Sequence, residues 1–276
     1  MSKNNIIKKE MAYPDWKQSI FIVFSYIMVS LPVVLLWVII NRSIELSFHI
    51  LSLLHSIVIL IFIKYLLKKA SYGFADLFKT ANNNWVNYIA TVFLVIGSGI
   101  IASEINNYFA FFFPELFAAS DSELISSSSN IILVIVTIVI LPSILEEIFF
   151  RGILLKGLLK NYNYKFSIIF SSFLFAVAHL SVRSGIPLFL GSIIIGYLYW
   201  RYRSLFLVIF AHAINNSMYL ISIYVLEIPG YSFKGKNIFQ PLWFNILGLI
   251  LFFFSLFIFK MANNSRVQVF NLEENR

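Results

Sequence analysis

Eight apolar runs govern what this sequence can become: residues 18–40, 44–67, 85–103, 130–150, 165–181, 186–200, 205–226 and 242–260. A run of about 18 or more apolar residues is long enough to cross a hydrocarbon layer as a helix. Of the 276 residues 59% are hydrophobic and 12% are charged, against roughly 25% charged in a soluble domain. Such a chain has more apolar surface than it can bury against itself, so the remainder must face lipid. The expected fold class is all-α, a polytopic transmembrane helix bundle of about eight spans. The fifth and sixth runs are short, so these two are expected to be tilted or partly covered by protein.

The first 17 residues are polar and carry Lys8 and Lys9. The apolar stretch after them is too long for a signal peptide and has no small-residue cleavage site, so it is expected to stay as the first helix. There is no cysteine, which excludes disulfides, thiolate metal sites and a cysteine nucleophile. A net charge of +8 invites a nucleic-acid reading, but the placement of the charges explains them better. With the N-terminus cytoplasmic, seventeen Lys and Arg fall inside; only Arg42, Arg183, Lys234 and Lys236 fall outside. That bias follows the positive-inside rule for short loops. Both termini are therefore expected in the cytoplasm of a multi-pass cell-membrane protein, with the lipid bilayer and not nucleic acid as its surroundings. Glu104, Glu115, Asp121, Glu123 and the polar run 126–130 are expected in an external loop, with an interfacial helix around residues 107–119.

No internal repeat or glycine-rich phosphate loop interrupts the pattern. Residues 1–17 read as a cytoplasmic segment, 18–129 as three helices and an external loop, 130–226 as the part that holds the chemistry, and 227–276 as a last helix and cytoplasmic tail. Ionisable side chains within a span are costly and face a bundle interior or a water-filled cavity. Glu146, Glu147, His179 and His212, with Asn216 one turn beyond His212, are of this kind. Counted at 1.5 Å per residue from the nearest cytoplasmic basic residue, His212 lies about 13 Å deep, Glu146 about 15 Å and His179 about 21 Å. Three separate helices thus place ionisable groups in one slab.

Spacing adds detail. Glu147 and Arg151 stand at i and i+4, where an acid pairs with a base on one helix face. Glu146 is turned about 100° away and is left for another partner. His212 and Asn216, also four apart, can present an imidazole and an amide to one point. A carboxylate beside a histidine can polarise a water, and a second His with an Asn amide can steady the oxyanion formed when that water attacks a peptide carbonyl. Each feature also has a plainer reading. A Glu–Arg pair at a helix end is more often structural, His49 and His55 read as membrane histidines satisfied by neighbours, Phe175 as a packing residue, and Gly191 and Gly196 as permitting close helix approach.

At these residues the chain resembles the CPBP family, the CAAX proteases and bacteriocin-processing enzymes also called Abi proteins. The first motif stands as Glu146-Glu147-Ile148-Phe149-Phe150-Arg151-Gly152, the second as Phe175-Ala176-Val177-Ala178-His179, and the third as His212-Ala213-Ile214-Asn215-Asn216. Their order on three apolar helices carries the resemblance, which covers roughly residues 130–226. It implies an intramembrane endopeptidase, either glutamate-dependent or a metalloprotease, in which Glu146 and His179 activate water. His212 and Asn216 would hold the oxyanion, and Glu147 and Arg151 would support the site. Its substrate would be a peptide or membrane protein, in bacteriocin or peptide maturation or in CAAX-type processing.

A zinc ion on Glu146, His179 and His212 would meet the three-ligand count of a catalytic site. The HExxH spacing is missing, however, so a site without metal is favoured and zinc is the alternative. No Asp lies in a span, and Ser192 lacks the flanking glycine of a rhomboid-like nucleophile. The competing functions are a non-catalytic immunity or regulatory partner and a proton-coupled transporter. The lack of an internal repeat speaks against the second.

Overall fold

The computed structural model describes residues 12–40, 48–79, 84–117, 130–231 and 239–274. It is a helix bundle, and no strand occurs among the described residues. Seven helices are long and apolar enough to cross a membrane: α1 (Trp16–Ile40), α2 (Phe48–Lys69), α3 (Trp85–Phe112), α4 (Ile131–Asn161), α6 (Val182–Tyr202), α7 (Leu205–Tyr224) and α8 (Leu242–Glu274). Between α4 and α6 lies the shorter apolar α5 (Tyr164–Ala178). The protein is therefore a multi-pass membrane protein by the length and composition of its helices.

Short polar residues set the helix starts. Asp15 and Gln18 exchange backbone-to-side-chain hydrogen bonds of 2.8 and 2.9 Å, a capping box at the head of α1. Asn130, Asn163, Ser181 and Ser204 each accept a backbone N–H in the first turn of the helix that follows, satisfying donors that a helix start leaves open. After α6, Arg203 turns the chain in the left-handed region, at φ 50°. Connections this short force α4 through α7 into antiparallel neighbours. In the α5–α6 pair Tyr164 stacks on Trp200 at 4.1 Å, and Gly196 brings the backbone of α6 close to Ile168.

Helix α4 is the hub. From Glu147 to Leu155 every residue is buried, so lipid does not reach this stretch on any side. The helix is also irregular, with π-helical turns at Ile135–Ile140 and Ile148–Leu155. α3 and α8 meet through glycines: a Cβ on Gly97 would lie 2.7 Å from the Gly248 carbonyl oxygen, so the two backbones touch. At one end of the bundle Lys69 lies over the Tyr13 ring, and Lys156 and Lys160 lie over Tyr72, which gathers the start of α1 with the ends of α2 and α4.

Four expectations change. Residues 107–112 continue α3, followed by a 3-10 turn at Pro114–Phe117, in place of an interfacial helix. Glu104 lies within α3 rather than in a loop; its carboxylate accepts from Asn107 Nδ2, the Gln240 backbone N–H and Asn245 Nδ2 at 2.8, 3.0 and 3.3 Å. The fourth run extends eleven residues past Phe150, because the buried turns after Glu147 are apolar and end only at Asn161. Gly191 has open space around its α-carbon, so close approach in α6 belongs to Gly196 alone of that pair. Lys3, Lys8, Lys9, Arg42, Asp121, Glu123, Lys234, Lys236, Arg276 and the run 126–129 lie outside the described residues.

Candidate active site

Glu147 is fully buried on α4 and must find cations or donors there. Its Oε1 accepts from Arg151 Nη1 at 2.7 Å and from His212 Nδ1 at 2.7 Å. A guanidinium has five N–H donors, more than one carboxylate can take. Arg151 places the others on α6, where Nη2 donates to Ser192 Oγ at 2.8 Å and to the Ser192 carbonyl at 3.1 Å. The guanidinium also lies over the Phe175 ring, 5.0 Å from its centroid. One ion pair thus joins α4, α5, α6 and α7.

Glu146 points elsewhere, as its position next to Glu147 on the helix requires. Its Oε2 is buried, has no hydrogen-bond partner among the described residues, and lies 3.7 Å from His179 Nε2 and 3.9 Å from His212 Nε2. Both imidazoles are oriented from behind. His179 Nδ1 is 2.8 Å from the Phe175 carbonyl, which can only accept, so Nδ1 carries the proton and Nε2 faces Glu146. His212 is fixed in the same sense by Glu147. The His212 ring therefore bridges the two carboxylates, one at each nitrogen. His179 is the more accessible of the pair, at 30% side-chain exposure against 6% for His212.

The length of α5 explains where His179 stands. Fifteen residues span about 22 Å, short of a hydrocarbon core of about 30 Å. The helix ends inside the layer, and its last turn delivers His179 to the depth of Glu146.

Of the six residues singled out by motif, five meet around Glu146 and Glu147. The sixth, Asn216, donates its Nδ2 to the Ile138 carbonyl at 3.1 Å, about two turns before Glu146 on α4. That carbonyl is the one Pro142 cannot serve, because a proline has no N–H for the residue four before it. One N–H of the Asn216 amide is left over. His49 is satisfied by Thr137 Oγ1 at 2.8 Å, which ties α2 to α4. His55 bonds Ser30 Oγ at 2.9 Å and lies within electrostatic reach of Glu146.

One contributor escapes a reading by motif spacing, and one that the second motif includes has a larger part than packing. Ser192 on α6 belongs to no motif, and only the surplus donors of Arg151 point to it. Phe175 does more than pack: its ring contacts His179 at 4.7 Å, His212 at 6.0 Å and Phe150 at 4.9 Å, and it forms the floor between the two imidazoles.

A comparison with known families decides what this geometry is similar to. Residues 128–218 match the family model described as Type II CAAX prenyl endopeptidase Rce1-like. The chain carries an Rce1-like segment. It takes in about a third of the sequence and contains Glu146, Glu147, Arg151, His179, His212 and Asn216. The matched segment is the one that carries the three motifs, and the activity in its description, a prenyl endopeptidase, agrees with what the resemblance to CAAX proteases implies. No curated protein and no solved structure matches the chain.

Proposed function

We propose that the protein hydrolyses a peptide bond of a membrane-associated peptide or protein, as in bacteriocin or peptide maturation or CAAX-type processing, by water activated between Glu146 and His179. The observation that carries this reading is the convergence of two imidazole Nε2 atoms on a buried, unpartnered carboxylate oxygen. Glu146 Oε2 and His179 Nε2 are both acceptors and at 3.7 Å cannot bond one another, and a water placed between them would be held by its two protons with its lone pair turned outward.

Glu146 accepts the proton as the water oxygen attacks the carbonyl carbon. The carbonyl electron pair moves to oxygen, the C–N bond then breaks, and the proton held by Glu146 leaves with the amine. Geometry supports the role of His212: Glu147 holds its Nδ1, which leaves Nε2 turned toward Glu146, where a proton on that nitrogen would be donated to the oxyanion. The spare N–H of Asn216 is a second donor. Glu147 and Arg151 fix the His212 ring and hold the four helices together.

Zinc accepts imidazole and carboxylate donors. Glu146 Oε2, His179 Nε2 and His212 Nε2 are the three that would hold it, and it would supply a Lewis acid there; the HExxH spacing is missing, and on this reading the side chains alone carry the catalysis. We further propose that both termini lie in the cytoplasm of a cell-membrane protein, with the site nearer the cytoplasmic surface.

The test is a comparison of wild type, Glu146→Gln and His179→Ala for a cleavage event that deletion of the gene abolishes. Both variants should stay folded and lose turnover. The double variant should be hardly worse than either, because groups acting as one unit are not additive. Activity should survive a strong chelator; loss to chelator with recovery on zinc would move Glu146, His179 and His212 to a metal-ligand role. If both single variants keep the phenotype, the protein acts by binding and not by hydrolysis.

A further inference from the structure

The site as assembled from the Rce1-like segment is rich in acceptors and poor in donors. Glu146 Oε2 and His179 Nε2 accept; toward the reacting carbonyl oxygen there are one spare amide N–H of Asn216 and the edge of His212 that carries Nε2. A tetrahedral oxyanion in a low-dielectric site calls for preorganised donors. The first helix supplies one that lies outside the matched residues.

Tyr26 is half-buried on α1, at about the same depth as Glu146: ten residues from the start of its helix, about 15 Å. Its ring packs 5.0 Å from Phe149 and 6.4 Å from Phe150, the residues three and four after Glu146 and so on the Glu146 face of α4. His55 meets the same ring edge-on at 6.4 Å. The chain behind the tyrosine is held in place, since Ser30 Oγ donates to the Tyr26 carbonyl at 2.8 Å and accepts from His55 Nε2 at 2.9 Å. Tyr26 lies within electrostatic reach of the Glu146 carboxylate. Among the described residues its hydroxyl makes no hydrogen bond. A phenolic O–H inside a membrane domain, with its ring clamped and its proton unassigned, is a donor in waiting.

We propose that Tyr26 is a catalytic residue of the α1 helix, whose hydroxyl donates a hydrogen bond to the scissile carbonyl oxygen as that oxygen becomes an oxyanion. This rests on the peptidase reading above. The O–H bond of Tyr26 stays intact: the phenol holds the oxygen while the water–carbon bond forms, and releases it when the C–N bond breaks and the electron pair returns. The proton balance still runs through Glu146 alone. The α1–α2 hairpin, which no motif covers, becomes one wall of the reaction chamber.

The experiment uses the full chain in host-cell membranes. New peptide N-termini are followed over time in membranes carrying wild type, Glu146→Gln or Tyr26→Phe, and cuts that need Glu146 define the substrate set. Phenylalanine keeps the ring contacts, so Tyr26→Phe purified in detergent should melt with wild type. Its rate at the Glu146-dependent cuts should fall roughly 10²–10³-fold. With a peptide spanning one of those cuts the fall should appear in kcat with KM little changed. Tyr26→Phe cutting at the wild-type rate, or losing rate only in proportion to lost melting temperature, would overturn the role of Tyr26 and leave the peptidase reading standing. Absence of any Glu146-dependent cut would remove both.

Discussion

An arginine that is 1% exposed inside a membrane domain has to be satisfied on every side, and Arg151 is satisfied by three neighbours of different kinds. Glu147 supplies charge, Ser192 supplies two oxygens, and Phe175 supplies a ring face. These partners are unequal. Glu147→Gln leaves a buried cation without its counter-charge, a change that costs about 3–5 kcal/mol. Ser192→Ala removes one charge-assisted hydrogen bond while the backbone carbonyl remains, for about 1.5–3 kcal/mol at most. Melting in detergent should therefore fall further for Glu147→Gln than for Ser192→Ala. The reverse order would mean that the serine, not the ion pair, anchors the four helices. At this scale the spacing of Glu147 and Arg151 was legible because i, i+4 pairing is local. Ser192 was not, because nothing in sequence says which helix will lie against a buried guanidinium. The same limit explains why His212 was expected to face the oxyanion or a zinc ion and its contact with Glu147 was not foreseen.

Among the elements, α4 departs most from an ordinary helix, and its departures frame the acids. Regular turns at Leu141–Glu147 stand between two π-helical stretches. Such insertions occur often at functional sites. Pro142 removes one backbone donor within this frame, and the Asn216 amide reaches the Ile138 carbonyl from α7. If the amide stands in for the missing N–H, the two residues must be energetically coupled. Asn216→Ala alone should lower stability by about 1–3 kcal/mol as the carbonyl loses a partner. In a Pro142→Ala background, where the backbone N–H is restored, the same substitution should cost distinctly less. Additivity within about 0.5 kcal/mol in a double-mutant cycle would show that the contact to Ile138 has no such purpose. The motif singled out Asn216 but could not reveal this contact, because π-helical turns shift which carbonyl faces outward and leave no mark in hydrophobic periodicity.

For the whole molecule, the side on which each end lies turns on α5, the one apolar helix too short to cross by length. Seven full spans would place the termini on opposite sides, and eight would place them together. Apolar runs in the sequence give eight, while length alone gives seven. We propose eight, on the packing of α5. α5 starts beside the end of α6, with Tyr164 on Trp200 and Ile168 against Gly196, so the two run antiparallel and α5 counts as a pass although it ends at the depth of His179. The basic residues agree, since Lys69, Lys156 and Lys160 gather at the end of the bundle where α1 begins. Reporter fusions at the C-terminus should therefore read cytoplasmic, and fusions in residues 118–129 should read external. A C-terminus that reads external would mean that α5 does not reverse the chain. His179 would then approach Glu146 from the opposite side of the membrane, and the route by which a substrate reaches the site would have to be redrawn from the external face.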